Sequence, residues 1–153
     1  MTNFDPTLRA HAAAIESEHQ QVMVQLDQLD LALEKIVCYS DVFADLASAN
    51  QAISGSKWLA EWLPRHYQHE ETTVLAAIAQ MSPDLASFAR EMKQQHRQMR
   101  LRLENLRELL NHLPQAQDLE VAVDAVRKAG AEFTRGMRLH MSSEDKKLGT
   151  LEN

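Results

Sequence analysis

The chain has 153 residues, the length of one ordinary domain, and we predict a single domain over residues 1–153. Four glycines, four prolines and only 5% aromatic residues favour an all-α fold over one built from strands. The net charge of −6 is spread along the chain, which argues against nucleic acid as a partner. No apolar run is long enough to span a membrane, so the sequence predicts a soluble, cytoplasmic protein.

The first half of the sequence predicts two helices. Asp5-Pro6 combines a capping side chain with a proline at a first helical position, and apolar spacing continues to about residue 37. A second helix begins between residues 41 and 48 and ends near residue 80, and we expect Pro64 to bend it. Cys38 lies in the connection, has no second cysteine to pair with, and receives no catalytic role.

The second half predicts two further helices. Ser82-Pro83 repeats the combination of cap and proline, and the helix that follows stops before Pro114. The fourth helix runs from about residue 118 to about residue 146, and the last residues are expected to fray. Because short connections place successive helices antiparallel, we predict an up-down-up-down antiparallel four-helix bundle.

Histidines and glutamates interrupt the apolar stripe of every predicted helix. Burying such groups without partners costs several kcal/mol, so a bundle core tolerates them only when something compensates them together. Ligands on different helices must lie at one level of the bundle, so we compare how many residues separate each histidine from the connection between its helix and the next. These numbers agree for the connection between the second and third helices. For the connection between the first and second helices the numbers agree if the second helix begins late. For the connection between the third and fourth helices they differ by about a turn and a half. The interrupting side chains are His19, His66, Glu70, His96, His140 and Glu144.

This set of polar side chains predicts a metal site with two ions. His66/Glu70 and His140/Glu144 each have i, i+4 spacing, so each pair points to one patch and can hold one ion. Imidazole and carboxylate without thiolate suit iron, manganese or zinc, and a carboxylate can bridge two ions. The zincin motif fails because Thr73 stands where its second histidine belongs, and the ferritin-like motif fails because only Glu16/His19 has its spacing.

The order of these residues along the chain resembles the hemerythrin-like HHE cation-binding family. The likeness lies in a histidine on the first and third helices, and in His-x-x-x-Glu on the second and fourth, over nearly the whole chain. It implies a hemerythrin-like bundle with two iron ions, oxo- or hydroxo-bridged, for which Zn or Mn could substitute. His19, His66, His96 and His140 would be terminal ligands, and Glu70 and Glu144 would bridge. The local string that carries the likeness is His66-Tyr67-Gln68-His69-Glu70-Glu71.

The sequence departs from oxygen-carrying hemerythrins in two places. Their third helix has a second histidine where this chain has Arg100, and their last helix has His-x-x-x-x-Asp where this chain has His140 and Glu144. About two of the roughly twelve coordination positions of two octahedral ions would then stay open or hold water. The resemblance therefore implies binding of a small gaseous or peroxide ligand rather than reversible oxygen storage.

Three functions remain open from the sequence. The first is a di-iron protein that binds or senses dioxygen, nitric oxide or peroxide, which is a ligand-binding protein more than a classical enzyme. The second is an iron-donating or iron–sulfur repair protein, and the third is a metal-free helical interaction module. His69 could take a vacant ligand position but is expected to be exposed, and His11 could flank the mouth of the site. The sequence does not determine the oligomeric state.

Overall fold

The computed structural model of this protein describes residues 4–36 and 46–153, so Cys38 lies outside the described residues. The four long helices pack as a bundle, α1 against α2 and α5, and α4 against the same two helices. This is the predicted four-helix bundle. Among the described residues, no helix is both long and apolar enough to cross a membrane. The helices are α1 (Pro6–Lys35), α2 (Leu46–Thr72), α3 (Val74–Ile78), α4 (Pro83–His112) and α5 (Leu119–Glu152), with a 3-10 turn at Leu113–Gln115.

Side-chain caps start three of the long helices at the predicted places. Asp5 Oδ1 accepts a hydrogen bond from the backbone N–H of Leu8 at 2.7 Å, and Ser82 Oγ accepts one from Leu85 at 3.2 Å. Asp118 Oδ1 caps α5 in the same way. Each cap satisfies one of the backbone donors that a helix leaves unpaired at its first turn.

The second predicted helix is interrupted at a position that the sequence pattern does not predict. It begins at Leu46, inside the predicted window, and contains Pro64, whose expected bend stays a prediction, and its break comes at Thr73. Thr72 Oγ1 and Thr73 Oγ1 donate to the carbonyls of Gln68 and His69, at 2.7 and 2.6 Å. Hydroxyls that bond back to the preceding turn compete with the backbone ladder, and Thr73 leaves helical geometry at φ −115° and ψ −86°.

The last helix is longer than predicted: it passes its expected end near residue 146, and the expected fraying of the last residues stays a prediction. The fifth helix continues to Glu152 because Leu148 is buried in an apolar cluster with Phe4, Leu8 and Val74. The cluster is formed by the ends of several helices and cannot be seen in the local sequence of α5. Burying a leucine side chain contributes about 2 kcal/mol, enough to hold a helix end in place.

In α1 and α4 the apolar positions that alternate in spacing between three and four residues are buried along the whole helix. In the other helices the buried face lies one residue beyond that spacing towards the C-terminal end: Val74 and Ile78 are buried rather than Thr73 and Ala77, and Leu148 rather than Lys147. The shift at Val74 follows the break at Thr73, and at Leu148 it has the direction expected for a helix of 3.6 residues per turn, which drifts about 20° per heptad from a spacing of 3.5.

The connection between α4 and α5 explains why His96 and His140 are separated from it by different numbers of residues. The segment of α5 from Leu119 to His140 is longer than the segment of α4 from His96 to His112 by about 7.5 Å, at 1.5 Å per residue. The 3-10 turn between α4 and α5 adds about 6 Å at 2.0 Å per residue. The two histidines therefore lie at the same level, between two apolar clusters that fill the two ends of the bundle.

Candidate metal centre

The structure brings all six predicted polar residues together in one buried layer. Each of the four long helices contributes one histidine, and α2 and α5 also contribute a glutamate one turn further along. Each is at most 2% exposed. The layer interrupts an otherwise apolar core, because the buried residues above and below it are almost all aliphatic, aromatic or methionine. It consists of His19, His66, Glu70, His96, His140 and Glu144.

Glu70 lies at the centre of this layer. Its Oε1 is 2.9 Å from His19 Nε2 and 2.6 Å from His66 Nε2, and its Oε2 is 2.9 Å from His96 Nε2. On the far side, His96 Nε2 lies 3.1 Å from His140 Nε2, which lies 3.4 Å from Glu144 Oε2. Two groups of ligand atoms result, and Glu70 belongs to both. They are His19, His66 and Glu70, and Glu70, His96, His140 and Glu144.

The two i, i+4 pairs fall in different groups, as the sequence predicts. His66 and Glu70 belong to the first group, and His140 and Glu144 belong to the second. Glu144 reaches only the second group, so Glu70 is the one carboxylate that the structure shares between both. The predicted bridging role of Glu144 stays a prediction.

Every histidine of the layer is held from behind by an oxygen of the neighbouring helix. His19 Nδ1 donates to Asp145 at 2.7 Å, and His66 Nδ1 donates to Glu18 at 2.8 Å. His96 and His140 donate in the same way to Glu71 and Gln95, both at 2.8 Å. A carboxylate or amide oxygen can only accept, so each Nδ1 carries a hydrogen, and a ring that is neutral, as a metal ligand must be, presents its Nε2 lone pair to the centre.

These four outer acceptors form a closed ring around the bundle. The ring is α1 to α2, α2 to α4, α4 to α5, and α5 back to α1, and each acceptor is next in sequence to a candidate ligand on its own helix. The sequence pattern by itself predicts no role for these residues. Their signal was a hydrogen-bonding side chain beside each ligand position: Glu18, Glu71, Gln95 and Asp145.

The inner faces of the cluster contain more acceptors than donors. Both oxygens of Glu144 lack a hydrogen-bond partner among the described residues. His66 Nε2 and Glu70 Oε2 likewise lack a hydrogen bond of acceptable geometry, although each lies within 3 Å of another polar atom. Buried acceptors that converge without donors are costly unless a cation or proton lies between them. The donor set of nitrogen and carboxylate oxygen therefore fits a metal ion.

Without a metal ion, bound protons offset the negative charge of the buried carboxylates. The direction of each pKa shift indicates which groups hold these protons. Burial disfavours charge on His19, but hydrogen bonds to Asp145 and Glu70 outweigh it and raise its pKa to about 10. Burial and the charge of Glu70 raise the pKa of Glu144 well above its usual value. Despite its burial, Glu70 has a strongly lowered pKa because three histidines hydrogen-bond to it. Burial and the neighbouring His96 lower the pKa of His140 to about 3.

Aromatic rings and methionines surround the layer. Tyr67 stacks on His96 with ring centroids 4.0 Å apart, and its hydroxyl donates to Met137 Sδ at 3.1 Å. Trp62 stacks on His66 at 5.0 Å, and Trp58 stacks on Trp62 at 5.4 Å. Burial raises the pKa of Tyr67, so the phenol stays protonated. Tyr67 therefore lines the cluster as an uncharged wall.

The remaining histidines do not enter the cluster. His69 contacts His11 and Glu18 instead of taking a vacant ligand position, and it is half-buried. His11, on α1, lies beside His69. His112 ends α4, where its ring donates to the carbonyl of Glu108 at 2.7 Å. The structure therefore places four histidines inside the bundle and pairs His11 with His69 outside it, a contact that the sequence pattern does not predict.

One comparison with known proteins matches this chain to a protein family. The family model described as the hemerythrin HHE cation binding domain matches residues 11–151, which include all six residues of the buried layer. No curated protein and no solved structure matches the chain significantly.

Proposed function

This chain belongs to the hemerythrin HHE cation-binding domain family, and we propose that it holds two iron ions in the buried layer, where they bind a small oxidant. The observation that carries the proposal is the position of Glu70. One of its oxygens meets His19 and His66, and the other meets His96. A carboxylate shared by two ligand groups suits a pair of ions better than a single one.

Each side chain of the layer has a role in this proposal. The four histidines would be terminal ligands through Nε2, and Glu70 would bridge through both oxygens. Glu144 would be a second bridge, and its two oxygens without hydrogen-bond partners make it available. Iron follows from the family resemblance and from the nitrogen and oxygen donors. Zinc and manganese accept the same donors and are possible substitutes.

The number of protein ligands supports open positions for a small molecule. The group around His19 and His66 provides three ligand residues and the group around His140 provides four, fewer than the roughly six positions of an octahedral ion. A bound iron pair would supply such positions and electrons for dioxygen, nitric oxide or peroxide. The buried side chains of Tyr67 and Met137 limit the access of bulk water.

The first test is the metal content of protein purified without chelator or affinity metal. We expect about two iron ions per chain and near-ultraviolet absorption from a bridged ferric pair. Absence of metal after anaerobic loading with ferrous iron would overturn the metal site and leave a helical interaction module.

The second test adds nitric oxide, dioxygen or peroxide to the reduced, iron-loaded protein. A change in absorption at a stoichiometric amount of one of these ligands is expected. An iron-loaded protein whose spectrum responds to none of them would contradict the oxidant function. Iron transfer to an acceptor apoprotein, faster than passive loss, would then favour the iron-donating alternative.

A further inference from the structure

A second pair of histidines lies outside the buried layer, at the surface between α1 and α2. His11 Nδ1 is 3.1 Å from His69 Nε2, and the two rings meet edge to face with centroids 5.3 Å apart. The His69 side chain is 26% exposed, and His11 is also half-buried. The pair is therefore open to solvent and is separate from the six inner residues.

Hydrogen bonding determines which nitrogen of His69 is free. Its Nδ1 lies 3.2 Å from Glu18 Oε1 and 3.3 Å from Oε2. Since a carboxylate only accepts, Nδ1 carries the hydrogen, and the neutral ring directs the lone pair of Nε2 at His11. This is the same arrangement that orients the inner histidines, and Glu18 also holds His66 at 2.8 Å.

The distance between the two facing nitrogens matches the separation of two imidazole nitrogens that bind one metal ion. Two imidazole nitrogens bound at about 2.1 Å and roughly a right angle lie about 3 Å apart. The His96 and His140 Nε2 atoms of the buried layer are 3.1 Å apart, the same separation as in the outer pair. His11 needs only the tautomer with its hydrogen on Nε2 to turn a second lone pair toward the same point.

We propose that His11 and His69 form an additional metal site, separate from the buried pair, that binds one divalent transition-metal ion with a preference for imidazole. The ion is held by His11 Nδ1 and His69 Nε2, and water completes its coordination. Glu18 orients His69 and offsets part of the charge of the ion. Two protein ligands at a solvent-exposed position make this an exchangeable site rather than a structural one.

The test uses Cu²⁺ as the probe on protein whose buried layer has first been loaded with iron and oxidised. One additional Cu²⁺ per chain is expected, and its electron paramagnetic resonance spectrum should show superhyperfine coupling to imidazole nitrogens. The variants His69→Ala and His11→Ala, on different helices, should each weaken Cu²⁺ binding at least tenfold. Circular dichroism checks that both variants are folded.

His112→Ala is the matched control, because His112 is an exposed histidine on α4 that faces no second ring. It should bind Cu²⁺ as the unaltered protein does. Equal Cu²⁺ affinity in the unaltered protein, His11→Ala and His69→Ala would overturn the outer site and reduce the contact to a hydrogen bond between two rings. Iron content, measured on the same samples, reports on the buried layer independently.

Discussion

Gln95 accepts the Nδ1 proton of His140 at 2.8 Å through its amide oxygen, at the position where each of the other three inner histidines meets a carboxylate. The amide nitrogen of Gln95 donates to Glu91 at 3.2 Å, which keeps the oxygen directed at His140. The outer ring is therefore uneven: three of its corners are anionic and the corner at His140 is neutral. This asymmetry makes the electron-donating strength of the four imidazoles unequal.

Gln95→Glu should lower the reduction potential of the iron-loaded centre. A carboxylate behind His140 makes the imidazole a stronger donor, which stabilises the more oxidised metal by an amount on the order of tens of millivolts. Spectroelectrochemical titration measures the shift. Gln94→Glu adds the same charge one residue away on the exposed face of α4 and should leave the potential nearly unchanged. Equal shifts in both variants would show that overall charge, not the hydrogen bond, sets the potential.

Glu70→Gln and Glu144→Gln should differ in the metal they retain. Glu70 belongs to both ligand groups, and Glu70→Gln leaves only two histidines for the ion at His19 and His66, which should be lost, whereas Glu144→Gln leaves three ligands there and should keep that ion. Elemental analysis of proteins loaded under identical conditions measures the difference. A full complement of metal in Glu70→Gln would contradict the shared role of this carboxylate.

The same pair of variants should also separate in stability without metal. The pKa of Glu144 is raised by burial, so the side chain is protonated in the metal-free protein and glutamine reproduces it closely. The pKa of Glu70 is lowered, and its charge pairs with His19, so glutamine removes a buried ion-pair partner. We expect thermal unfolding to show a clear loss of stability for Glu70→Gln, of about 3 kcal/mol or more, and a small change for Glu144→Gln.

Asp145→Ala should weaken metal binding by about 10–100-fold, the usual effect of removing an acceptor behind a ligating histidine. His19 would lose the contact that sets its tautomer and ring orientation. Competition with a chelator of known affinity measures the change. Asp124→Ala is the control, because Asp124 is an exposed aspartate on the same helix, and a comparable loss there would point to a general effect on α5.

The metal-free protein should lose stability as the pH rises from about 6.5 to about 10. The folded state keeps a proton on His19 with a pKa of about 10, whereas the unfolded chain releases it near the ordinary value of 6.5. Unfolding then releases a proton, so a higher pH favours the unfolded state. The raised pKa of Glu144 acts with the same sign above its ordinary value.

Melting temperatures of the metal-free protein across this range should fall by an amount on the order of 10 °C. The iron-loaded protein should show a much flatter profile, because the bound ions replace the proton on His19. His19→Asn should flatten the metal-free profile. A melting temperature independent of pH in the unaltered metal-free protein would contradict the assignment of the proton to His19.

The four helices and the six inner residues could be predicted because both depend on local periodicity. Side chains that recur every three or four residues share one face of a helix whatever packs against it, so a histidine such as His19 in an apolar stripe must point inward. The caps at Asp5, Ser82 and Asp118 are equally local, since each side chain bonds to a backbone group a few residues away. The order of histidines and glutamates then indicated the family.

The outer shell and the ends of the helices depend on how separate helices are rotated and offset against one another. Gln95 and His140 are 45 residues apart, and His11 and His69 are 58 apart, so no local pattern connects them. The burial of Leu148, the break at Thr73 and the division of ligands into two groups around Glu70 likewise follow from contacts made on packing or at a single backbone position. Periodicity establishes which face of a helix points inward, but contacts between helices establish which side chain each inward residue meets.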